Sequence, residues 1–443
     1  MPLSAVISVL ARSLLTGERT VHDVHARAVR TLCHSWRWLR PLARRYVEVF
    51  AGHPRPRHRD VVRFLFEDRG FKRARAKYRH ELSIAEWLAE PQRMQPVAPA
   101  ERWNLPVIES VGDLADWLSL NTNELEWFAD LKALGNKLGK PKLQHYHYCS
   151  LPKRSGGVRL IESPKPRLKE LQRRILSDIL DRVTVHSAVH GFVTGRSIVT
   201  FAGPHAGKQV LLRLDLQDFF PAFPAARAQA LFRTLGYPEN VADSLGGICT
   251  NAVPRDVWNR RPPEIDPVQW RDARTLYARP HLPQGAPTSP ALANLTAYRL
   301  DCRLSGLARS ASATYTRYAD DLAFSGGEGF NRVVERFSTH AAAIALEEGF
   351  TVNHRKTRIM RQGVRQHLAG IVVNQKVSLR RRDLEVLEAI LTNCGRFGPE
   401  SQNRVRLPDF RAHLEGRVGF VEMIDRAKGQ RLRGLFEGIQ WER

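Results

Sequence analysis

Two adjacent aspartates, Asp320 and Asp321, place the tightest constraint on how this chain can fold. They lie between residues 315–318 and 322–324, whose aromatic, β-branched and apolar side chains predict two short strands joined by a tight turn. A third aspartate, Asp215, ends another predicted strand earlier in the chain. Carboxylates this close repel one another, and Asp is a poor strand residue, so the cluster is unfavourable unless a cation neutralises it.

Three carboxylates on neighbouring strands form a donor set for two Mg²⁺ ions about 4 Å apart, the arrangement used for in-line phosphoryl transfer. Mn²⁺ takes similar oxygen ligands and is the alternative ion. An ordinary polar turn at Asp320 and Asp321 is the competing interpretation. The flanking strands and the upstream Asp215 favour a metal site, so we expect all three aspartates to act as metal ligands and catalytic residues.

The charge of the chain predicts its partner. The 443 residues carry a formal net charge of +24 at pH 7, with Lys and Arg spread along the whole length. A distributed positive field suits a long polyanion, so nucleic acid is the expected partner. A basic protein without this function, or one that binds anionic membrane, is the alternative. No run is apolar enough to span a bilayer, and residues 1–15 predict a helix start rather than a signal peptide.

The cysteines predict the compartment. Cys33, Cys149, Cys249, Cys302 and Cys394 are far apart, odd in number and form no C-x-x-C pair. This pattern argues against a zinc site and against a disulfide framework. We therefore expect a protein of the reducing cytoplasm.

The hydrophobic periodicity predicts an α+β chain in four parts. Residues 1–100 are predicted to be a basic helical extension and linker, either an RNA-binding module or a helical cap with solvated charges. Residues 101–208 are predicted to hold a helix pair and a strand hairpin. Residues 209–375 are predicted to form a sheet with helices on one side and the acidic hairpin at its edge, with a long insert between residues 236 and 290. Residues 376–443 are predicted to be helical.

A proline-rich loop, residues 281–290, lies between the two acidic segments and carries Gln284. Its glycine and prolines predict a defined loop, and the Thr-Ser-Pro at its end predicts the start of a helix. A helix N-terminus and a Gln beside an acidic metal site can position a nucleotide and its template base. By itself, this stretch is typical of many loops. Its position between the carboxylates is what favours a role in positioning the nucleotide.

These segments resemble, in content and order, the motifs of bacterial reverse transcriptases, and most resemble the retron type. The resemblance covers roughly residues 105–441 and implies a right-hand polymerase, with fingers within 101–208, a palm with parts of the fingers in 209–375 and a thumb in 376–443. The matching segments are residues 152–164 with Arg159, His190-Gly191-Phe192-x-x-Gly195-Arg196-Ser197-Ile198, Asp215-x-x-Asp218-Phe219-Phe220-Pro221, Leu282-Pro283-Gln284-Gly285-Ala286-Pro287-Thr288-Ser289-Pro290, Tyr318-Ala319-Asp320-Asp321, Asn353-x-x-Lys356-Thr357 and Leu368-x-Gly370-x-x-Val373-Asn374.

The resemblance implies a role for each matching residue. Asp215, Asp320 and Asp321 match the carboxylates that hold two Mg²⁺ ions. Lys356 matches a catalytic proton donor to pyrophosphate, although a solvated surface lysine is an equally good interpretation. The remaining implied residues are Lys153, Arg159, Asp218, Phe219, Phe220 and Gln284 for nucleotide binding and Leu368, Ala369 and Gly370 for the primer grip.

Within the nucleotide-binding set, Lys153 and Arg159 match residues that hold the incoming triphosphate, and the fork of an Arg suits phosphate geometry. Phe220 matches the bulky residue that excludes a ribose 2′-hydroxyl, which implies dNTP substrates. One of the adjacent Phe219 and Phe220 side chains must point inward, so either can instead be an ordinary core residue.

Two segments depart from the retron pattern. Retron enzymes usually carry Asn-Ala-x-x-His, where this chain has Phe201-Ala202-Gly203-Pro204-His205. They also usually carry Val-Thr-Gly, where this chain has Leu368-Ala369-Gly370. Both family motifs are associated with recognition of the cognate structured RNA. A defence-associated reverse transcriptase outside the retrons is therefore the main alternative, with another template, no template or a protein primer.

The resemblance implies an RNA-directed DNA polymerase of retron type that copies a structured noncoding RNA into single-stranded DNA. Its partners would be this RNA, the RNA–DNA product, dNTPs and an effector protein in antiphage defence. A group II intron maturase is disfavoured because the sequence after the predicted thumb is too short for a nuclease domain. Phe220 and Ala319 disfavour a viral-type RNA polymerase. A non-catalytic RNA-binding scaffold is disfavoured by the three intact aspartates.

Overall fold

A computed structural model describes residues 3–51, 56–78, 81–86, 94, 98–132, 144–153 and 156–441. The chain divides into two compact units. Unit 1 comprises Met1–Thr184 and Phe223–Leu292, and unit 2 comprises Val185–Ala222 and Ala293–Arg443. In these described stretches, every helix is too short or too polar to cross a lipid bilayer. The predicted linker prolines Pro91 and Pro96 lie outside the described residues.

Unit 1 begins with five helices that share a core of their own, built from residues between Val6 and Leu82. The helical periodicity from Val61 onward is interrupted at Asp68, whose side chain accepts a hydrogen bond from the Phe71 backbone and caps a separate helix. The five helices are α1 (Leu3–Leu15), α2 (Val21–Leu32), α3 (Leu39–Val49), α4 (His58–Glu67) and α5 (Arg69–Lys77).

The rest of unit 1 combines a two-stranded antiparallel sheet with helices. Capping boxes start two of the helices at Ser110 and Asn121. The sheet pairs β1 (Tyr146–Pro152) with β2 (Val158–Pro164). The helices are α6 (Val111–Leu118), α7 (Thr122–Ala129), α8 (Pro166–Asp178), α10 (Ala225–Leu235), α11 (Glu239–Cys249) and α12 (Pro267–Leu276).

The predicted long insert between residues 236 and 290 contains two of these helices, α11 and α12. Most side chains of α11 are buried. Trp258 and Trp270 from the insert pack with Leu160 of β2 in one hydrophobic cluster. The insert is therefore a packed part of unit 1 rather than a surface excursion.

Unit 2 is built on a five-stranded antiparallel sheet in which β3 (Val210–Gln217) is central. β5 (Asp321–Gly326) pairs with β3 on one side and with β4 (Thr314–Tyr318) on the other. The opposite side of β3 pairs with β7 (Arg358–Arg361) along its first half and with β6 (Thr351–Val352) at its end. The other elements are α9 (Ile198–Ala202), α14 (Tyr298–Ser310), α15 (Glu328–Glu347) and the hairpin of β8 (His367–Leu368) and β9 (Ile371–Val372), while α13 (Ser289–Thr296) crosses the unit boundary.

Both faces of this sheet are covered. On one face, Phe337 of α15 contacts Phe324 of β5 with ring centroids 5.0 Å apart. On the other face, Phe201 of α9 packs with Leu211 of β3 and Leu368 of β8. The sequence predicted helices on one side only. A five-residue helix and a two-residue-strand hairpin carry too little periodicity to be assigned to a face in advance.

The end of unit 2 is helical, as the sequence predicts. Its three helices are α16 (Arg381–Phe397), α17 (Phe410–Ile424) and α18 (Arg426–Glu437). Leu391, Leu414, Val418 and Leu432 are buried in a separate hydrophobic cluster at the contact of these helices. The cluster explains why three helices with exposed charged faces pack together.

Candidate active site

The three predicted aspartates lie together at one end of the central strands of unit 2. Asp215 of β3 and Asp321 of β5 are direct partners in the antiparallel register. Asp320 occupies the two-residue turn between β4 and β5, and its backbone oxygen accepts a hydrogen bond of 2.9 Å from the Leu216 N–H. Residues paired across an antiparallel ladder project from the same face, so Asp215 and Asp321 share that face.

The turn that carries Asp320 is held in an uncommon backbone conformation. Ala319 has a φ of 54°, in the left-handed region that L-residues other than Gly, Asn and Asp seldom adopt. Gly191 packs directly against this turn, and a Cβ atom at Gly191 would lie 2.7 Å from the Ala319 backbone nitrogen. The Gly191 carbonyl in turn accepts a hydrogen bond of 2.8 Å from the Asn294 side chain. The glycine of the predicted motif is therefore required by close backbone approach.

A buried ion pair anchors the strand that leads into the turn. Arg317 of β4 donates to Asp301 of α14 through two nitrogens at 2.8 and 2.7 Å, and both side chains are fully buried. Tyr315 donates a further hydrogen bond of 2.8 Å to Asp301. Burial lowers the pKa of Arg317, whereas the nearby charge of Asp301 raises it. The net shift of this pKa is upward. The buried ion pair fixes β4 against α14.

Two cations compensate two of the three aspartates. Lys356 lies 3.0 Å from both carboxylate oxygens of Asp215. Arg213 binds Asp321 with distances of 2.7 to 3.0 Å to its two oxygens. Burial, together with the nearby charges of Asp321 and Asp215, raises the pKa of Asp320 to about 6. Asp320 thus experiences the residual negative field of the cluster.

The residues present fit a divalent cation. Hard oxygen donors from three carboxylates match the ligand preference of Mg²⁺. In the described part of the chain, no three acidic, His or Cys side chains are gathered into a ready coordination sphere, because Arg213 and Lys356 hold two of the carboxylates. The uncompensated field at Asp320 is the electrostatic feature that a cation would neutralise. Asp215, Asp320 and Asp321 are therefore the residues that would hold it.

The aromatic pair after Asp215 divides between core and surface. Phe219 is buried and stacks on Phe350, with ring centroids 6.0 Å apart. Its side chain is therefore placed in the interior, not in an open nucleotide pocket. Phe220 is half-buried and lies 6.5 Å from the exposed ring of Phe192. Asp218, half-buried with a φ of 49°, forms the turn that sends the two rings in different directions.

The predicted primer-grip residues form the hairpin between β8 and β9. Leu368 is fully buried in the cluster beneath the sheet. Ala369 and Gly370 form the turn, with φ values of 46° and 85°. A two-residue turn with positive φ at both positions matches the right-handed twist of the flanking strands. Of the three predicted residues, Ala369 and Gly370 reach the surface and Leu368 does not.

The other predicted nucleotide-binding residues lie in unit 1. Lys153 is in the turn of the β1–β2 hairpin, and Arg159 projects from the exposed side of β2. The Gln284 carbonyl accepts a hydrogen bond of 2.9 Å from the Glu162 N–H, which docks the proline-rich loop on β2. Gly285 permits this contact, since a Cβ there would lie 2.8 Å from the Glu162 carbonyl oxygen. The structure groups Lys153, Arg159 and Gln284 on one hairpin and its adjoining loop.

A buried polar cluster that the sequence did not reveal holds this loop. The Glu162 carboxylate lies 2.8 Å from the His281 ring and accepts a hydrogen bond of 2.7 Å from Asn251. Burial lowers the pKa of His281, but the Glu162 charge and hydrogen bonds raise it more, so the net direction is upward. A lone Glu among the apolar residues of β2 is the only signal the sequence offered.

Arg213 is the second residue that the sequence interpretation missed. It lies two residues before Asp215, and alternate residues of a strand share a face. Apart from Asp215, Arg213 is the only polar residue from Val210 to Leu216, and it is therefore a detectable signal for a partner of the acidic cluster.

Comparisons with known proteins agree with this geometry. The family profile described as reverse transcriptase (RNA-dependent DNA polymerase) matches residues 151–381. The Retron Mx65 reverse transcriptase of Myxococcus xanthus is 40% identical over 339 residues, which cover 76% of this chain and 73% of that protein. The Retron Mx162 enzyme of the same organism is 37% identical over 344 residues, 74% of this chain and 66% of that protein. The Retron Ec86 reverse transcriptase of Escherichia coli is 31% identical over 278 residues, 62% and 74% of the two chains.

The profile match covers more than half of the chain and includes the three aspartates, Lys356 and the proline-rich loop. The right-hand polymerase fold follows from this membership. The chain therefore belongs to the reverse transcriptase family and is an RNA-directed DNA polymerase of the retron type.

Proposed function

We propose that this enzyme copies a structured noncoding RNA into single-stranded DNA by phosphoryl transfer at Asp215, Asp320 and Asp321. The convergence of the three carboxylates at the end of β3 and β5 is the observation that supports the proposal. The retron names of its relatives support the RNA template. By the same resemblance, the enzyme acts in antiphage defence with an effector protein.

When bound, two Mg²⁺ ions would supply activation of the primer 3′-hydroxyl and neutralisation of charge on the triphosphate. The chain's own residues supply the rest. Lys356 would give a proton to the departing pyrophosphate, and its half-exposed position beside Asp215 supports this role. Arg213 orients Asp321. Each of these side chains lies within unit 2.

The substrate is proposed to be a dNTP. Arg159 and Lys153 bind the triphosphate, and Gln284 contacts the nucleotide. Phe220 excludes the ribose 2′-hydroxyl, which its partial exposure supports. The turn formed by Ala369 and Gly370 contacts the primer backbone. The fingers, palm and thumb correspond in this proposal to residues 101–208, 209–375 and 376–443, after the basic extension 1–100.

Primer extension with dNTPs and Mg²⁺ tests the catalytic proposal. Asp320→Asn keeps the shape of the side chain and removes a charge that has no cation of its own, so synthesis should fall by roughly a thousandfold while the fold persists. Asp116→Asn, an exposed residue of α6, is the matched control and should retain synthesis. Equal synthesis by Asp320→Asn and wild type would refute the assignment. RNA binding by a wild-type protein that incorporates no nucleotide would instead favour a non-catalytic scaffold.

Nucleic acid that copurifies with the enzyme tests the template. A structured RNA covalently joined to DNA supports the retron reaction. DNA without such an RNA would favour the alternative of a defence-associated reverse transcriptase with another template or primer, for which the altered segment Phe201–His205 is the motivating observation.

A further inference from the structure

Helices α1–α5 lie outside the residues that match the reverse transcriptase family, and they have their own hydrophobic core. Residues 1–86 contain 18 Lys and Arg but only 8 Asp and Glu. The chemistry at the aspartates uses none of this charge. We infer that the exposed face of α5 binds the phosphate backbone of an RNA stem and forms an RNA contact separate from the polymerase residues. The inference rests on the proposed RNA template.

Every exposed residue of α5 except Ala76 is basic. Arg69, Lys72, Arg73 and Lys77 are all exposed, and their spacing puts them on one side of the helix. The opposite side carries Phe71, which is fully buried in the core. Residues three and four apart on a helix are about 5–6 Å from one another, a spacing that suits successive phosphates of one strand. These four residues are called the basic face of α5 below.

Other basic residues of these helices are used to hold the fold. Arg27 donates to the backbone oxygens of Ser13 and Glu18, at 3.1 and 2.8 Å. Arg45 pairs with Asp68 at 2.6 and 2.9 Å. By contrast, within the described residues the basic face of α5 forms no hydrogen bond or ion pair, although Lys77 lies over the ring of Tyr78. Four neighbouring like charges destabilise a helix unless an anion compensates them.

The basic face is also rigidly held before any partner arrives. Asp68 caps α5 by accepting a hydrogen bond of 2.7 Å from the Phe71 N–H, and the same carboxylate binds Arg45 of α3. A preorganised surface loses less conformational entropy on binding than a flexible basic tail would. This arrangement favours a specific contact over the nonspecific electrostatic attraction of a flexible tail.

An exposed aromatic ring beside the basic face suits RNA in particular. Phe66 at the end of α4 is 54% exposed, and the Arg75 guanidinium lies 5.2 Å from its ring centroid. Unpaired bases of RNA loops stack on such rings and guanidinium planes. A membrane partner is disfavoured because the apolar side of α5 is buried in the core and cannot enter a lipid interface.

Fluorescence anisotropy with a labelled RNA stem-loop, full-length protein and EDTA tests the inference over a series of salt concentrations. EDTA separates binding from polymerisation. The test variant combines Arg69→Gln, Lys72→Gln, Arg73→Gln and Lys77→Gln, which keeps good helix formers in α5. The matched control removes four charges from exposed positions of α14 and α15 by combining Arg299→Gln, Arg309→Gln, Arg332→Gln and Arg336→Gln.

The test variant should bind the stem-loop at least about tenfold more weakly at physiological salt, and the slope of log Kd against log salt should fall by about 3. The control should change affinity less than about twofold. Circular dichroism of both variants verifies that the helices persist. Unchanged affinity in the test variant, or equal losses in test and control, would overturn the inference.

Two further measurements keep the interpretation clear. If the test variant loses binding to an acidic protein or to phosphatidylglycerol vesicles but keeps its RNA affinity, the basic face serves another partner and the inference is wrong. Primer extension on a short unstructured primer–template is measured separately with wild-type protein. If wild-type protein fails to extend this primer, the proposed function is wrong. The binding comparison in EDTA remains an independent test of the inference about α5.

Discussion

At the scale of single residues, the site is a balance of charges. Among the described residues, Asp215 and Asp321 each form an ion pair, with Lys356 and Arg213 respectively, and Asp320 forms none. The two cations compensate the repulsion that makes the aspartate cluster unfavourable by itself. An enzyme with this arrangement can keep three carboxylates together before a metal ion arrives. The cations therefore belong to the functional unit as much as the acids do.

Arg213→Gln tests this balance. The glutamine cannot form the two-pronged contact with Asp321, so DNA synthesis should fall about 10- to 100-fold, mostly in kcat. The ion pair is only partly buried, so the free energy of unfolding should change little. Arg213→Lys keeps the charge but not the forked arrangement of donors. Its rate of primer extension should lie between the rates of wild type and Arg213→Gln. Full activity of Arg213→Gln would show that Asp321 needs no orientation.

Phe220→Ala tests sugar selection. Removing the half-exposed ring should raise the incorporation of ribonucleotides relative to deoxyribonucleotides, measured as the ratio of kcat/KM values for each pair. Phe219→Ala is the contrasting variant. Because Phe219 is buried against Phe350, its truncation should cost about 3–5 kcal/mol of stability. Unchanged discrimination in a folded Phe220→Ala protein would remove the proposed role.

At the scale of elements, the acidic turn depends on segments that are remote in sequence. Val189 forms an isolated parallel bridge with Arg317 of β4. Gly191 contacts the backbone of Ala319 in the turn, and α14 anchors Arg317 through Asp301. The turn is therefore held from both sides, which allows the left-handed conformation of Ala319 to persist.

Gly191→Ala tests this support. The added methyl group would meet the Ala319 backbone, which cannot move aside as a flexible side chain can. We expect a loss of about 1–3 kcal/mol in chemical denaturation and a parallel loss of DNA synthesis, because the turn carries Asp320. Gly306→Ala in α14 is the control, since a methyl group there meets no neighbouring atom within 4 Å. Wild-type stability of Gly191→Ala would contradict the close approach.

At the scale of the whole molecule, each unit buries a histidine in a polar cluster, and the pKa values of the two histidines are shifted in opposite directions. In unit 1, His281 beside Glu162 has a raised pKa, so its contribution to stability is present at low pH and is lost as pH rises through that value. In unit 2, burial and the nearby charges of His190 and Lys208 lower the pKa of His205 to about 3.

The neutral state of His205 follows from its hydrogen bonds. Its ring nitrogens lie 2.7 Å from the hydroxyl oxygens of Ser325 and Thr316. The Thr316 hydroxyl donates its proton to the Phe201 carbonyl at 3.1 Å, so it can only accept from the ring. One ring nitrogen therefore donates and the other accepts from Ser325. A neutral imidazole satisfies both partners, whereas a second ring proton would force the Ser325 hydroxyl to change from donor to acceptor.

Acid should accordingly destabilise unit 2. As pH falls below the ordinary histidine pKa, the unfolded chain binds a proton that the folded His205 does not, so stability declines, by ~3 kcal/mol at pH 4. Hydrogen exchange of β3 and β5 between pH 7 and pH 5, corrected for intrinsic rates, measures this loss. His205→Gln should flatten the dependence. Because Asp320 in the same unit has a raised pKa with the opposite effect, the deciding result is the difference between the two proteins, and equal pH dependence of His205→Gln and wild type would contradict the role of His205.

Much of the site was predictable because its signals are local. The pair Asp320 and Asp321 between apolar strands, and Asp215 after another, specify strands, turn and charge within a few residues of each position. Capping at Ser110 and Asn121 follows from side chains three residues apart. No helix was predicted within the long insert, where α11 contains the adjacent Gly246 and Gly247, which are poor helix formers.

The sequence by itself determined the strand–turn–strand framework, the identity of the acids and the membership of the family, because periodicity, turn chemistry and motif order are properties of the chain. Only the tertiary structure decided that Arg213 binds Asp321, that Phe219 and not Phe220 is buried, and that residues 223–292 join the N-terminal part in unit 1. Those outcomes depend on which distant segments become neighbours. Cross-strand register and packing set them, and neither is written in any single stretch of sequence.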